Sequence, residues 1–459
     1  MILTSRKFLV FFIFISLLIL TACQSGRADK NEINKRQGNN TLKLYANSEI
    51  FSDSTLINKA INTFQESNSG VEFIVDNIEK LEGYSMRLST ELMAGEGPDV
   101  LLLNNYLDLP LYKIMKSEAL QNLDEYIKDD KQFNINDYNK AVMDSGVYNG
   151  ERFLLPISYR VSSFITTESL LTNNDFHINP DNWTLGNLAE QVSRLKDRQS
   201  GNGRCNYSFR GVLFRDCFGN FEHKYIDYGK GKVSLNTDEF VGILNNFKAL
   251  QDSGITHDDL LKYASNTYNI MKDNKMLAYD SDDLIGPKNL WTESNNIKYY
   301  LESEAKLYPP PTEDGSKRYS AEPEIMLAMN QNCRNKQLAY SFIKTFLTES
   351  FQIFETENGI PVPVNKKAYE KLLSQYAGEQ GTGKDIELFD GTKHTSEPLT
   401  PALIKDVHNI VDNIAVCDIY DSNIMNIIYD ELRKFLKGNC TAEDAAEQME
   451  RKIQLYLNE

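Results

Sequence analysis

The sequence predicts an α/β fold in which strands alternate with helices to form an open sheet. Three observations carry that reading. Apolar residues recur alternately, then at helical spacing, then alternately again along residues 42–103. The run Pro98-Asp99-Val100-Leu101-Leu102-Leu103 reads as a strand that is apolar on both faces, as a parallel sheet covered by helices requires. The chain has 459 residues, of which 41% are hydrophobic and 25% charged, the composition of a folded protein of two or three domains.

Each element follows from local pattern. Leu42 and Leu44 alternate with Lys43 and Tyr45, giving a first strand that runs to Ala46. Leu56, Ile57, Ala60, Ile61 and Phe64 then recur at helical spacing behind the N-cap candidates Ser52, Asp53 and Ser54, and Gly70 stops the helix. Val71 to Val75 reads as the second strand. Tyr84, Leu88 and Leu92 mark a second helix closed by Gly95 and Gly97, ahead of the apolar third strand. Ligands of open α/β sheets gather beyond the carboxyl ends of the strands. That places Asn47, Asn104, Asn105 and Tyr106 at the edge of a cleft, unless these residues only turn the chain.

Charge and hydropathy exclude several classes. Lys+Arg is 49 and Asp+Glu 65, a formal charge of −16, which argues against nucleic acid as a partner because phosphate binding needs clustered cations. A mean hydropathy of −0.45 excludes a polytopic membrane protein. The one long apolar run, Phe8 to Leu20, follows Arg6 and Lys7 and is shorter than the ~20 residues of a spanning helix. It ends in Leu20-Thr21-Ala22-Cys23, which resembles the lipobox of bacterial lipoproteins; a plain secretory leader with an incidental cysteine is the alternative. The resemblance implies a signal peptide over 1–22, cleavage before Cys23 and diacylglycerol on its sulfur. Residues 23–40 then form a polar, lipidated tether. Losing Arg6 and Lys7 with the leader takes the formal charge from −16 to −18. At ~0.8 kcal/mol per buried CH₂, two acyl chains hold such a body on the outer face of the cell membrane.

Cysteine and histidine offer little chemistry. Cys205, Cys217, Cys333, Cys417 and Cys440 are an odd number, so at least one is free or pairs between chains. Cys205 and Cys217 could close a small loop, or all could be inert thiols. No zinc spacing appears among the five histidines. Gly378 to Lys384 (GEQGTGK) has the glycine and lysine spacing of a phosphate loop, but Asp385 stands where the metal-binding Ser or Thr belongs. It reads as a surface loop. No cofactor and no metal are expected.

A longer-range resemblance then emerges. Ala94 to Asn105 (AGEGPDVLLLNN) is similar to the signature of extracellular solute-binding proteins, the receptors of ABC importers of the maltose-binding type. Tyr148 to Pro156 resembles the first interlobe crossing of that family, Pro180 to Thr184 a helix start, and Asn274 to Ala278 a "GKAAM" strand. Leu307 to Pro311 resembles the second crossing, Ala339 to Gln352 the helix after it, and Gly359 to Pro363 the third crossing. The terminal helix around Ala445-Ala446-Glu447-Gln448 fits as well. The resemblance implies two α/β lobes, 41–152 plus 312–358 and 156–307 plus 363–459, with a ligand cleft between them. Three proline-bearing connectors suit a hinge, since proline limits φ without unravelling the crossing.

By position, the resemblance directs Asn47, Asn104, Asn105, Tyr106, Tyr159, Arg160, Tyr279, Asp280, Asp282 and Glu322 to the cleft. Amides and carboxylates match sugar hydroxyls, and Arg160 can grip an acidic group or instead form an interlobe salt bridge. Tyr279 is the ring expected at the cleft wall. The chain departs from the family in having only two tryptophans, Trp183 and Trp291, and in carrying Ser320-Ala321-Glu322-Pro323-Glu324 where a "GGW" stretch is expected. Its 24 tyrosines and 23 phenylalanines can cover a sugar face instead.

The implied function is a monomeric, lipid-anchored receptor that catalyses nothing. It captures a mono- or oligosaccharide by lobe closure and delivers it to ABC permease subunits. The alternatives are a cell-surface glycan-degrading enzyme with paired carboxylates and a solute sensor of the same fold.

Overall fold

The computed structural model describes residues 40–47, 55–104, 107–199, 209–210, 214, 218, 222–253, 266–358, 362–419 and 421–459. The leader, Cys23 and the tether to Asn39, together with Asn105, Tyr106, Cys205, Cys217 and Gly359 to Pro361, lie outside the described residues.

The chain opens with β1 (Thr41–Ala46), α1 (Thr55–Ser67), β2 (Glu72–Asn77), α2 (Leu81–Met93), β3 (Val100–Asn104) and α3 (Leu111–Lys116). β4 (Leu154–Arg160) leads directly into β5 (Ser163–Thr166), then α4 (Leu185–Gln199), β6 (Phe209–Arg210), α5 (Asp238–Ser253) and α6 (Thr267–Lys272). There follow β7 (Ala278–Ser281), α7 (Pro287–Leu301), β8 (Lys306–Tyr308), β9 (Tyr319–Met329), α8 (Lys336–Thr345) and α9 (Lys366–Ala377). The chain closes with α10 (Pro401–Val411), β10 (Ile414–Cys417), α11 (Ser422–Leu436) and α12 (Ala442–Asn458).

These elements build two lobes, one per main sheet. The first sheet runs β2-β1-β3-β9, with β4 and β10 sharing the free edge of β9. The second runs β8-β5-β7-β6. β1 pairs in parallel with β2 and β3, while β9 pairs antiparallel with β3, so the first sheet is mixed. β3 is buried throughout, because Val100 and Leu102 enter one core and Leu101 and Leu103 the other. Burying each leucine is worth about 1.5–3 kcal/mol, which explains why this strand is apolar on both faces.

Two turns bring the first lobe to its crossing. Asn149 and Gly150 both have positive φ, 51° and 84°, and reverse the short hairpin between Val147–Tyr148 and Glu151–Arg152. Gly146 lies so close to β4 that a Cβ would meet the Leu154 carbonyl oxygen at 2.0 Å, leaving room only for glycine.

The segment from Asn274 differs from the expected strand. Asn274 has φ 55° and ends α6, with its N–H bonded to Met271 O and that of Lys275 to Ile270 O. This is a left-handed helix closure that satisfies carbonyls the helix would leave open. Strand geometry therefore begins only at Ala278, and Tyr279 lies inside β7.

Candidate ligand site between the two lobes

Arg160, the last residue of β4, sits where the lobes meet. Its side chain is only 7% exposed, with one nitrogen 3.2 Å from Glu322 Oε2 and another 3.6 Å from Asp282 Oδ2. Glu322 stands directly across the ladder on β9, whereas Asp282 follows β7 of the other lobe. The backbone repeats the tie, as Val161 N donates to Asp282 O at 3.1 Å. A buried guanidinium is tolerable only when paired in this way. Arg160 is therefore held by acids of both lobes.

β9 and β4 fall out of register beside this pair. Glu322 faces Arg160 and Pro323 faces Tyr159, but Ile325 faces Ser158, so Glu324 has no opposite number. Proline lacks an N–H for the ladder, and a bulge accommodates that loss. Ser158 Oγ accepts from Ile325 N at 3.2 Å and donates to Glu324 Oε2 at 3.4 Å. Burial, reinforced by Asp283 and Asp282, pushes the Glu324 carboxyl up to about 7, against the opposing pull of Arg160 and Ser158. Burial and Asp282 raise Asp283 in the same sense.

A second group of acids continues along the seam. Glu222 is buried, accepts from Tyr228 Oη at 2.6 Å, and has its carboxyl raised by burial and by Asp418, with Glu322 and Asp421 adding to the effect. Tyr228 of the second lobe stacks on Tyr112 of α3 in the first, with ring centroids 3.6 Å apart and planes 9° from parallel. These rings line a cavity of about 730 Å³ together with Tyr148, Tyr456 and Asp421. That volume suits a small solute. Tyr456 Oη donates to Asp421, which also caps α11, and burial raises the Asp421 carboxyl. Among the described residues no group of three or more His, Cys, Asp or Glu side chains could hold a metal ion.

The structure gathers Arg160, Asp282 and Glu322 into one cluster. Asn104 ends β3 opposite Ile325, one residue from Glu324. Asn47 follows β1, fully buried, and its amide donates to Ile78 O at 2.7 Å. Asp280 is half-buried on β7, paired through its backbone with Phe164. Tyr159 and Tyr279 are not on the seam surface. Both belong to the apolar core, where burial raises their hydroxyls far above the usual range. Tyr279 donates to Glu293, as does Tyr268, whose ring meets Tyr279 edge-on at 6.3 Å. Trp183 is also core, and Trp291 donates to Gly381 O and Glu397 O. Sequence reasoning did not single out Tyr112, Glu222, Tyr228, Asp283, Asp418 or Asp421. Glu324, quoted only within a departing stretch, is the i+2 neighbour of Glu322, and Asp283 adjoins Asp282, so strand spacing could have added these two.

No protein-family model matches the chain. Its architecture is that of the two-lobed extracellular solute-binding proteins of ABC transporters. The sugar-binding protein MalE of Xanthomonas citri superimposes with a TM-score of 0.65 at 13% identity, covering 91% of this chain and 97% of that one. An ABC substrate-binding protein of Listeria monocytogenes, in complex with cycloalternan, gives 0.58 at 14% identity over 91% and 99%. The GacH receptor of Streptomyces glaucescens, solved unliganded and with acarbose, gives 0.59 at 16% over 91% and 98%. At these identities the likeness establishes the fold.

Two outcomes follow from this geometry. Tyr279→Ala should lose about 3–5 kcal/mol in urea unfolding, the range for an aromatic removed from a core; a loss below about 0.5 kcal/mol would put the ring at the surface. Glu324 binds its proton more tightly folded than unfolded, so its contribution to stability is complete below about pH 4.5 and is lost as pH rises through about 7. Glu324→Gln should therefore flatten the fall in melting temperature between those pH values, and an unchanged slope would assign the fall to other groups.

Proposed function

We propose that this chain is the lipid-anchored receptor of an ABC importer, acting as a monomer that captures a small solute between its lobes and presents it to permease subunits. The observation that carries this reading is the seam itself. A cavity of about 730 Å³ and a run of buried charged side chains lie where two α/β lobes meet, in a fold whose solved examples bind solutes. The lobes are 41–152 plus 312–358 and 156–307 plus 363–459, with β10 reaching back to the first sheet. The hinges lie near Gly150–Pro156, Leu307–Thr312 and Gly359–Pro363.

The ligand site centres on Arg160, Asp282 and Glu322, with Asn47, Asn104, Asn105, Tyr106 and Asp280 at its margins and Tyr159 and Tyr279 bracing it from the core. The solute is a mono- or oligosaccharide. The Listeria protein was solved with cycloalternan and the Streptomyces receptor with acarbose. Among the described residues no helix is long and apolar enough to cross a membrane. The attachment proposed is a lipid on Cys23, on the strength of the lipobox-like Leu20-Thr21-Ala22-Cys23.

A thermal-shift screen across neutral sugars, amino sugars, uronic acids and peptides tests the reading. A true ligand at a hundred times its Kd should add about 2.7 kcal/mol. X-ray scattering at saturation should then give a smaller radius of gyration, whereas an unchanged value with a proven ligand would count against closure. Cys23→Ser should move the protein from the membrane fraction to the soluble one. Retention with the leader uncleaved would indicate a signal anchor instead.

A further inference from the structure

Apart from the receptor reading, we infer that the second lobe carries a further saccharide site, a platform of Tyr299 and Phe389 that takes a neutral polysaccharide chain. Among the described residues these are the two exposed aromatic side chains, 40% and 52% open to solvent. Neither lines the cavity between the lobes. Tyr299 lies in the last turn of α7, and Phe389 in the turn of a hairpin that pairs Asp385–Glu387 with Lys393–Thr395.

Both rings stand on a fixed base. Tyr299 meets Tyr300 edge-on at 5.0 Å, and Tyr300 stacks on Tyr268 at 5.1 Å with planes 5° apart. Phe389 meets Tyr268 edge-on at 5.8 Å, and Tyr268 is itself tied to Glu293. Two buried amides of α7 fasten the hairpin. Phe389 N donates to Asn296 Oδ1 at 3.1 Å, and Asn295 exchanges two bonds with the Glu397 backbone, at 2.7 and 3.0 Å. The GEQGTGK stretch ahead of the hairpin joins the same anchor, since Trp291 Nε1 donates to Gly381 O at 3.2 Å. Buried side chains thus hold Phe389 in water, although burying such a ring would be favourable. A ring fixed in this way spares a ligand the ordering cost of binding.

Size selects the occupant. At about 150–250 Å² per aromatic side chain, the two rings together expose on the order of 200 Å². A stable protein contact covers about 800 Å² per partner, so this area fits a sugar ring or two and not a second copy or another protein. A sugar lays its apolar face on an aromatic ring, while its edge hydroxyls need polar partners. The hairpin supplies these in Asp390, Thr392 and Lys393, all exposed, and the His394 ring lies 5.2 Å from that of Tyr299. Charge selects further. Asp385, Glu387 and Asp390 outnumber Lys393 within the hairpin, and Lys298, beside Tyr299, is engaged by Glu304. Polyanions are repelled by such a surface, and a neutral chain is not.

Native electrophoresis of the purified protein through gels cast with soluble polysaccharides tests the inference. Glycogen, pullulan, xylan and hydroxyethyl cellulose are the neutral probes, and polygalacturonate is the anionic one. At least one neutral polymer should retard the protein, and polygalacturonate should not. Phe389→Ala and Tyr299→Ala should each weaken the apparent affinity at least fivefold and together abolish retardation, whereas Phe389→Trp should keep it. Melting temperatures should stay near that of the parent chain, as for other surface substitutions. Should Tyr299→Ala fail to fold, Phe389→Ala against Phe389→Trp carries the reading alone. No retardation by any neutral polymer overturns the inference. Retardation that survives the ring substitutions overturns it by placing the polymer elsewhere, and stronger retardation by polygalacturonate overturns the neutral assignment. Self-association in sedimentation velocity that Phe389→Ala removes overturns it by giving the rings to a contact between copies. Each of these outcomes leaves the receptor reading standing, because that reading is decided by the small-solute screen.

Discussion

The strand Tyr319–Met329 is the constraint on which the rest of the structure depends. Its last residues pair with β3, its middle with β4, and its first three with β10, so one segment joins strands more than 200 residues apart in sequence. Central strands of this kind fix register strongly, because a slip of one residue turns the buried face outward. The bulge at Glu324 is what this strand tolerates in exchange for carrying Pro323. Register returns at Met326, and Leu327 and Ala328 resume a fully buried ladder. Glu322, ahead of the bulge, keeps its place opposite Arg160. Site geometry and sheet geometry are thus set by the same few residues.

The charge arrangement at the seam opposes folding in part. Glu222, Glu324, Asp283 and Asp421 are all raised first by burial, so each would be easier to ionise in the unfolded chain. The opposing interactions are few: Arg160, Ser158, Tyr228, Tyr456, Lys113 and the backbone donors at the start of α11. Stability comes instead from apolar packing, which is continuous across the two lobes. Groups held at a cost to stability are the common mark of sites selected for binding.

Much of the first lobe was legible in the sequence. β1, α1, α2 and β3 follow from periodicity alone, because their burial is set by neighbours on the same element. The Asn274 segment was misread as strand because Asn at a left-handed helix end and Asn at a strand start look alike without backbone angles. Arg160, Asp282 and Glu322 were reached through an ordered set of short motifs, and they do meet. Their pairing with one another depends on the ladder register, which the local pattern does not encode. The resemblance of Asn274 to Ala278 to a family strand that feeds the cleft wall is what places Tyr279 there. Its burial depends on Glu293 and Tyr268, which lie on helices and were invisible to a strand argument. Tyr112 and Tyr228 carry no local signal at all, since their partnership exists only when the two lobes are brought together.

That stacked pair has a thermodynamic consequence. Rings 3.6 Å apart leave no room for a third flat group between them, so a solute entering there must first part them. An aromatic pair of this kind is worth about 0.5–1.5 kcal/mol. For a solute that entered between the rings, the receptive population would be reduced accordingly, and the apparent dissociation constant would exceed the intrinsic one by about two- to twelvefold. Each ring would then act as an internal competitor for the other's face, tethered at fixed effective concentration. Affinity for such a solute would be adjustable from positions that never touch it, through any change that loosens the contact between α3 and the 228–231 turn.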